Sequence, residues 1–529
     1  MNSLRTPFQS QCGIHPAAIL LLSLALLTTS LWAQSESSPG KTSRPNILLI
    51  VAEDMSTDIN PYRDMPFDTP GIDELADAGA VFENAWAAQA SCSPSRASMF
   101  TGLYPHAHGQ IGLKGRGSRI QPGTPTFMDA LRAAGYLTAV TYKLHVEPEP
   151  AFDIGPKNTA WGDPEKLAAV AERTMDEAAE QNRPWFLMLN TFDTHGIDNK
   201  SASKLKNLWR NQYAGKPADP LTAEELPLPP YLADSEVAAP NPNLMENLAA
   251  YYNSVRRVDD LVARALKALD ERGLRENTII IFTSDHGPVW PRGKQMVYEV
   301  SLHVPLIVVA PEAEPGSRRT ELVSLVDIMP TITELAGGQA PELPSDARSL
   351  MRTLSGDAQP RAVMGGEFFQ HWGPKGFFPS YAIRTERYKL NHNLYPKWNR
   401  PWKEYHDIPF MNALPAGTDE AFATAFRHAL RPPEFELYDL ESDPWEYRDL
   451  SADPRYANVL SELKQQLADW RALTGDPFLD QQVLDQAIAL HRETARQTDS
   501  LAPAEAQAVL DQMAVDLNAL MRTETPIAP

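Results

Sequence analysis

The sequence predicts an α/β protein: a large, mainly parallel sheet flanked by helices, followed by a smaller α+β subdomain. Three observations carry that prediction. Residues 46–52 (Asn-Ile-Leu-Leu-Ile-Val-Ala) form an almost unbroken apolar run, as a strand covered on both faces of a parallel sheet requires. Further apolar runs of similar length alternate with helical periodicity as far as Ala336, the pattern of repeated strand–helix units. Beyond Ser355 the texture changes to short strand-like pieces joined by tight turns, which suits a small antiparallel sheet.

The elements follow in order. Thr69-Pro70 opens a short predicted helix to Ala78, with Thr as cap and Pro at the first position. Residues 91–96 read as a loop feeding a helix of about two turns, stopped by Gly102. Residues 124–134 read as helix, 136–142 as strand, 164–181 as helix and 185–190 as strand. A long helix over 244–272 is closed by Gly273, then come strands over 278–283 and 304–309 and a helix over 324–336. In the second part, 381–391 reads as a hairpin turning at Thr385 to Arg387, 436–440 adds a strand, and a helix near 456–474 covers them. The expected organisation is a signal peptide over 1–33, a linker over 34–44, a large catalytic domain over 45–355, an antiparallel-sheet subdomain over 356–475 and an Ala-, Leu- and Gln-rich helical tail over 476–529. Proline is frequent in loops such as 217–230, so long irregular surface segments are expected.

Composition narrows the function. The chain has 529 residues, 43% hydrophobic and 22% charged, which describes a globular protein. Its net charge of -20 argues against nucleic-acid binding, which leaves a basic footprint. An anionic substrate remains compatible, because a site needs only local positive charge. Arg5, the apolar run 17–32 and the small Ala33 make a signal-peptide pattern. That run falls short of the ~20 residues of a spanning helix, so a secreted or periplasmic protein without a membrane span in the mature chain is expected. Of the two cysteines, Cys12 lies in that leader. The mature protein then carries a lone Cys92 in a compartment where disulfides form, and a lone thiol there needs a reason.

Ligands of α/β sheets sit outside the C-terminal ends of the strands. Charged residues collect at four such ends: Glu53 and Asp54, Lys143 and His145, Asp193 and His195, Asp285 and His286. One alone reads as a turn or helix cap; four together point to a shared site. Glu53, Asp54 and Asp285 would repel one another in one pocket unless a divalent cation bound there. Oxygen ligands favour Ca²⁺ or Mg²⁺, and His286 admits Mn²⁺ or Zn²⁺.

Ser91-Cys92-Ser93-Pro94-Ser95-Arg96, followed by Thr101-Gly102 and later by Ser284-Asp285-His286-Gly287, resembles the signature of the type I sulfatases, members of the alkaline phosphatase superfamily. The resemblance runs from Arg44 to about Leu450, through Lys143-Leu144-His145 and the stretches 384–390 and 436–444. Glu53 stands where most members have Asp, and His286 where many have Asn. The family implies an alkaline phosphatase-like fold, a divalent metal (Ca²⁺ first, Mg²⁺ or Mn²⁺ next) held by Glu53, Asp54, Cys92, Asp285 and His286, and a maturation enzyme that oxidises Cys92 to formylglycine. It also implies roles: Arg96 holds the new oxygen of residue 92, Lys143 and Lys294 clamp sulfate, His145 orients the nucleophile or takes its proton, and His195 is the candidate acid for the leaving group. Residues 92–98, 109–113, 143–148 and 152–153 resemble sulfamidases acting on N-sulfoglucosamine ends of heparan, so a sulfated glycan is the expected substrate. His106, His108, Lys114, Arg116, Glu367, His371 and His392 lie in segments that could line the pocket mouth, and most of them read as ordinary surface residues. The alternatives are a phosphonate monoester or phosphodiester hydrolase of the same superfamily and a non-catalytic binder of sulfated glycans.

Overall fold

The computed structural model describes residues 44–155, 163–196, 219–232, 242–396, 398–400 and 420–522. The expected signal peptide, Cys12 and the linker up to residue 43 lie outside the described residues. The organising element is β1 (Asn46–Ala52), buried along its whole length. Its side chains alternate between two cores, as the two-residue period of a strand dictates. Leu48, Ile50 and Ala52 pack with the long helix Pro242–Glu271 and the helices Pro70–Ala78 and Pro164–Glu180. Ile47, Leu49 and Val51 pack on the opposite face with Ala97, Met99, Phe100 and Phe127. Each such fully buried Leu or Ile contributes roughly 1.5–3 kcal/mol.

The remaining strands of this sheet are β2 (Ala80–Trp86), β3 (Leu137–Val140), β4 (Trp185–Asn190), β5 (Thr278–Ser284), β6 (Leu306–Val309) and β7 (Ser317–Ser324). Their spatial order is β3-β4-β1-β5-β6-β2-β7. The sheet is mixed. Only β6 runs against its neighbours β5 and β2, whereas the other pairings are parallel. The β5–β6 connection carries only the four-residue helix Glu299–Leu302, not the full crossover helix that usually returns a parallel strand.

Three strands escape the sequence pattern. β2 carries Glu83 and Asn84 at a register shift, residues poorly suited to strand interiors. β7 is a charged edge strand of the kind that blunts sheet edges. β8 (Met364–Phe368) contains Gly365, whose added Cβ would sit 2.1 Å from the Trp470 ring. With β9 (Ser380–Arg384), β10 (Tyr388–Asn393) and β11 (Phe435–Asp439) it forms a four-stranded antiparallel sheet ordered β11-β10-β9-β8. The helix Ala457–Leu473 covers it, and the tail helices Gln481–Thr498 and Pro503–Leu520 bury Leu484, Ile488 and Leu517 in the same core as Tyr104 and Ile111. Among the described residues no helix is long and apolar enough to cross a membrane.

Candidate active site

Cys92 opens a helix, Cys92–Thr101, in which all ten residues are buried. The helix starts earlier than the expected loop through Arg96 because Pro94 lies in the first turn, where its missing N–H costs no hydrogen bond. It ends at Gly102, which is left-handed (φ 70°) and donates its N–H to the Ser98 carbonyl at 2.9 Å. The thiol therefore sits at the positive end of the helix, facing the C-terminal ends of β1 and β5.

Those two ends bring the carboxylates in. Asp54 follows β1 with φ 50°, and its N–H donates to Asp285 Oδ1 at 3.1 Å. His286 follows Asp285, and its Nε2 lies 3.3 Å from Asp54 Oδ1 and 3.4 Å from Cys92 Sγ. Gly287 is required next: an added Cβ would fall 1.9 Å from the Val300 carbonyl oxygen. The chain then turns through Arg292 (φ 64°) and Gln295 (φ 74°) to present Lys294. Its Nζ donates to both Asp54 oxygens at 2.9 and 2.8 Å and to Cys92 Sγ at 3.4 Å. Of the seven non-glycine residues with positive φ among the described residues, Asp54, Tyr142, His145, Arg292 and Gln295 belong to or flank these site segments. Such residues cost about 1–3 kcal/mol each, so strain concentrates where side chains must converge.

A second layer fixes the first. Arg96 is fully buried and donates to Asp285 Oδ2 (3.0 Å), Glu53 Oε1 (2.7 Å) and Asn190 Oδ1 (3.0 Å). Its guanidinium thus joins the carboxylates that follow β1 and β5, one turn on from Cys92. Glu53 Oε2 accepts from Lys143 Nζ at 2.6 Å, and Glu53 forms with Cys92 and His195 a second group whose ligand atoms all lie within 4.8 Å of one another. His195 Nε2 lies 3.4 Å from Lys294 Nζ and 3.8 Å from Asp54 Oδ2, with one fifth of its side chain exposed. Its loop is stitched to β1 by Thr194 N to Glu53 O (2.8 Å) and anchored by the Asp193–Arg257 ion pair at 2.6 Å. His145 hydrogen-bonds Cys92 and has a buried Nδ1 with no hydrogen-bond partner among the described residues.

The electrostatics follow from this crowding. Burial opposes the thiolate, yet Lys143, Lys294 and His286 hold the Cys92 thiol well below its ordinary range. Burial opposes a charged His286 as well, but Asp285 and Asp54 push it up to about 9. Burial and Lys143 push His145 down to about 4, leaving a neutral imidazole able to accept a proton. The ligand atoms of Asp54, Cys92, Asp285 and His286 all lie within 4.8 Å of one another. Two buried carboxylates that draw in both an ammonium and an imidazolium proton are what a cation site looks like with protons as stand-ins. The donor set therefore fits a divalent metal.

Two site residues were not singled out from the sequence. Asn190 ends β4, accepts from Arg96 and donates through Nδ2 to the Lys143 carbonyl at 2.9 Å; its one signal was a polar residue closing an apolar run. His371, given only as a segment at the mouth, is buried with Nδ1 2.8 Å from Ser91 Oγ. Others from those segments lie elsewhere. His106 and Glu367 are a buried ion pair at 2.5 Å, and His108 is buried against Ser98 Oγ at 3.1 Å. Lys114 pairs with Glu149 at the surface, and His392 stacks on Phe435.

A buried, activated side chain between carboxylates and ammonium groups at parallel strand ends suits hydrolysis of anionic esters. The sequence comparisons give the class its family. The sulfatase family profile matches residues 45–338, more than half of the chain, which therefore belongs to the sulfatases, sulfuric ester hydrolases. A second profile, the C-terminal region of N-sulphoglucosamine sulphohydrolase, matches residues 290–408 and spans the domain boundary expected at 355. Human N-sulphoglucosamine sulphohydrolase is 28% identical over 498 residues, covering 85% of this chain and 96% of that protein. An ulvan-active sulfatase from Formosa agariphila is 27% identical over 475 residues, covering 82% and 76%. Among solved structures, a protein in complex with its substrate D-glucosamine-2-N,6-O-disulfate superposes with a TM-score of 0.59 at 20% identity, covering 82% of this chain and 98% of the other.

Proposed function

We propose that this chain is an exported sulfatase that removes sulfate ester or sulfamate groups from a sulfated glycan, with N-sulfoglucosamine ends of heparan-type chains as the first candidate. The observation that carries the reading is the Cys92 thiol, 3.4 Å from both His286 and Lys294 and opposite Asp54. The match to the sulphohydrolase C-terminal profile supports the choice of sugar. Export rests on the leader pattern of residues 1–33.

In this reading a formylglycine-generating enzyme oxidises Cys92, and the hydrated aldehyde offers two hydroxyls. Glu53, Asp54, Asp285, His286 and residue 92 would hold one divalent metal, Ca²⁺ first. When bound, it supplies positive charge that favours the ionised nucleophile. One hydroxyl of residue 92 loses its proton to His145 and attacks sulfur. The bond from sulfur to the sugar oxygen or nitrogen breaks, and His195 protonates that leaving atom. Lys143 and Lys294 offset the charge that builds on the sulfate oxygens. The second hydroxyl then loses its proton, the carbonyl re-forms, and the bond between residue 92 and sulfate breaks. Water rehydrates the aldehyde. Arg96 holds Glu53 and Asp285 in register beside residue 92.

The test is hydrolysis of two substrates: sulfate released from an N-sulfoglucosamine-ended saccharide, read by ion chromatography, and phenolate released from an aryl phosphodiester, read by absorbance. Release from the saccharide in preference to the phosphodiester is expected. Turnover of the phosphodiester alone would move the protein to the phosphonate hydrolases, and glycan binding without turnover by formylglycine-bearing protein would make it a binder.

A further inference from the structure

Two exposed side chains flank the catalytic pocket without a role in the chemistry above. Trp372 is 37% exposed and follows His371, whose ring reaches Ser91, the neighbour of Cys92. The Trp372 ring stands edge-on to His371, 5.2 Å between centroids at 82°. Arg116 lies over the Trp372 ring at 5.7 Å and, among the described residues, has no carboxylate at ion-pair distance. An unpaired guanidinium on a chain of net charge -20 is unusual, since acidic partners are abundant.

The loop carrying Arg116 is held in place from several sides. Lys114 N donates to Ser93 Oγ at 2.9 Å, Leu113 N to the His371 carbonyl at 3.1 Å, and Gly115 N to Glu147 Oε2 at 2.8 Å. Gln370 Nε2 donates to the Arg116 carbonyl at 3.2 Å. Ser91 and Ser93, on either side of the nucleophile, are thus tied to the two segments that carry Trp372 and Arg116. A rim fixed this way is pre-organised and loses little freedom on binding.

We infer that Trp372 and Arg116 form a second sugar subsite at the pocket mouth, which takes the ring next to the sulfated one and reads a negative group on it. The flat indole face suits a sugar ring, and the guanidinium suits a carboxylate or sulfate. The substrate is then an acidic oligosaccharide, not a single sulfated sugar. This rests on the glycan reading proposed above.

The test is calorimetric binding to the full chain with Cys92→Ala, using N-sulfoglucosamine, an N-sulfoglucosamine-ended heparan tetrasaccharide, and that tetrasaccharide with its uronate carboxyls reduced or its internal sulfates removed. The tetrasaccharide is expected to bind more tightly than the monosaccharide. Adding Arg116→Ala should cut that advantage about fivefold and Trp372→Ala about tenfold, whereas Arg116→Lys keeps most of it. The reduced and desulfated ligands show which negative group Arg116 reads. Equal affinity for mono- and tetrasaccharide, or an advantage that survives both alanine variants, overturns the inference. If neither saccharide binds, the glycan reading itself has failed.

Discussion

Two of the buried clusters of opposite charges among the described residues differ in one respect: the first holds a reactive group and the second does not. At the strand ends, Glu53, Asp54 and Asp285 meet Arg96, Lys143 and Lys294 around Cys92 and His286. At the junction of the two sheets, Glu299 meets Arg384 at 2.9 Å and Lys389 at 3.2 Å, and Lys389 also meets Glu446 at 2.8 Å while lying 4.8 Å above the Trp86 ring. In the junction cluster the charges are matched acid to base. Burial disfavours the Glu299 carboxylate, but Arg384 and Lys389 still hold it down to about 2. In the strand-end cluster the same residue types surround a thiol and an imidazole, both shifted from their ordinary ranges by the neighbouring charges, and Lys143 and His195 are partly open to solvent. Burial and pairing make a clamp; burial, pairing and a reactive group beside an opening make a site.

The largest effect that sharpens this contrast is loss of the reactive group. Cys92→Ala should lower kcat at least about a thousandfold with little change in unfolding midpoint, read by sulfate release and a thermal melt; retained turnover would break the comparison. Lys389→Met should do the reverse. It leaves Glu299 and Glu446 buried without their cation, costing about 3–5 kcal/mol, measured by denaturant unfolding, while the kcat of the folded enzyme stays within about twofold because the sites are independent. Arg96→Lys lies between the two. It keeps one charge but cannot span Glu53, Asp285 and Asn190, and kcat/KM should fall about a hundredfold, the upper range for residues behind the reacting groups.

The smallest effect is in acid. The folded-state value of Glu299 lies below its unfolded value of 4.5, so its contribution to stability is complete above that pH and is lost as pH falls toward about 2. Stability of the parent should drop across this window, and Glu299→Gln should flatten that drop. An unchanged slope in the variant would mean that other carboxylates govern the acid limb.

The two clusters also differ in how legible they were. The strand-end residues follow apolar runs such as 46–52 and 278–284, and the rule that ligands collect at strand ends joins them across more than 200 residues. What the pattern did not show was that Glu53 also pairs with Arg96 and Lys143, because ion-pair partners from distant segments leave no mark on an apolar run. The junction cluster had no such rule. Glu299 and Glu446 are 147 positions apart, and Lys389 in a hairpin reads as solvent-facing. Likewise β2, β7 and β8 carry charge or glycine where strand propensity is low, and tertiary pairing overrode it. The antiparallel β6 was hidden for a related reason: its direction depends on what the connection from β5 does in space.

The central claim is that residue 92 is the nucleophile and becomes formylglycine. Mass spectrometry of the peptide containing residue 92, from active protein purified from its native host, tests it most directly. The account predicts a mass about 18 Da below that of the cysteine peptide. An unmodified thiol in active protein would contradict it.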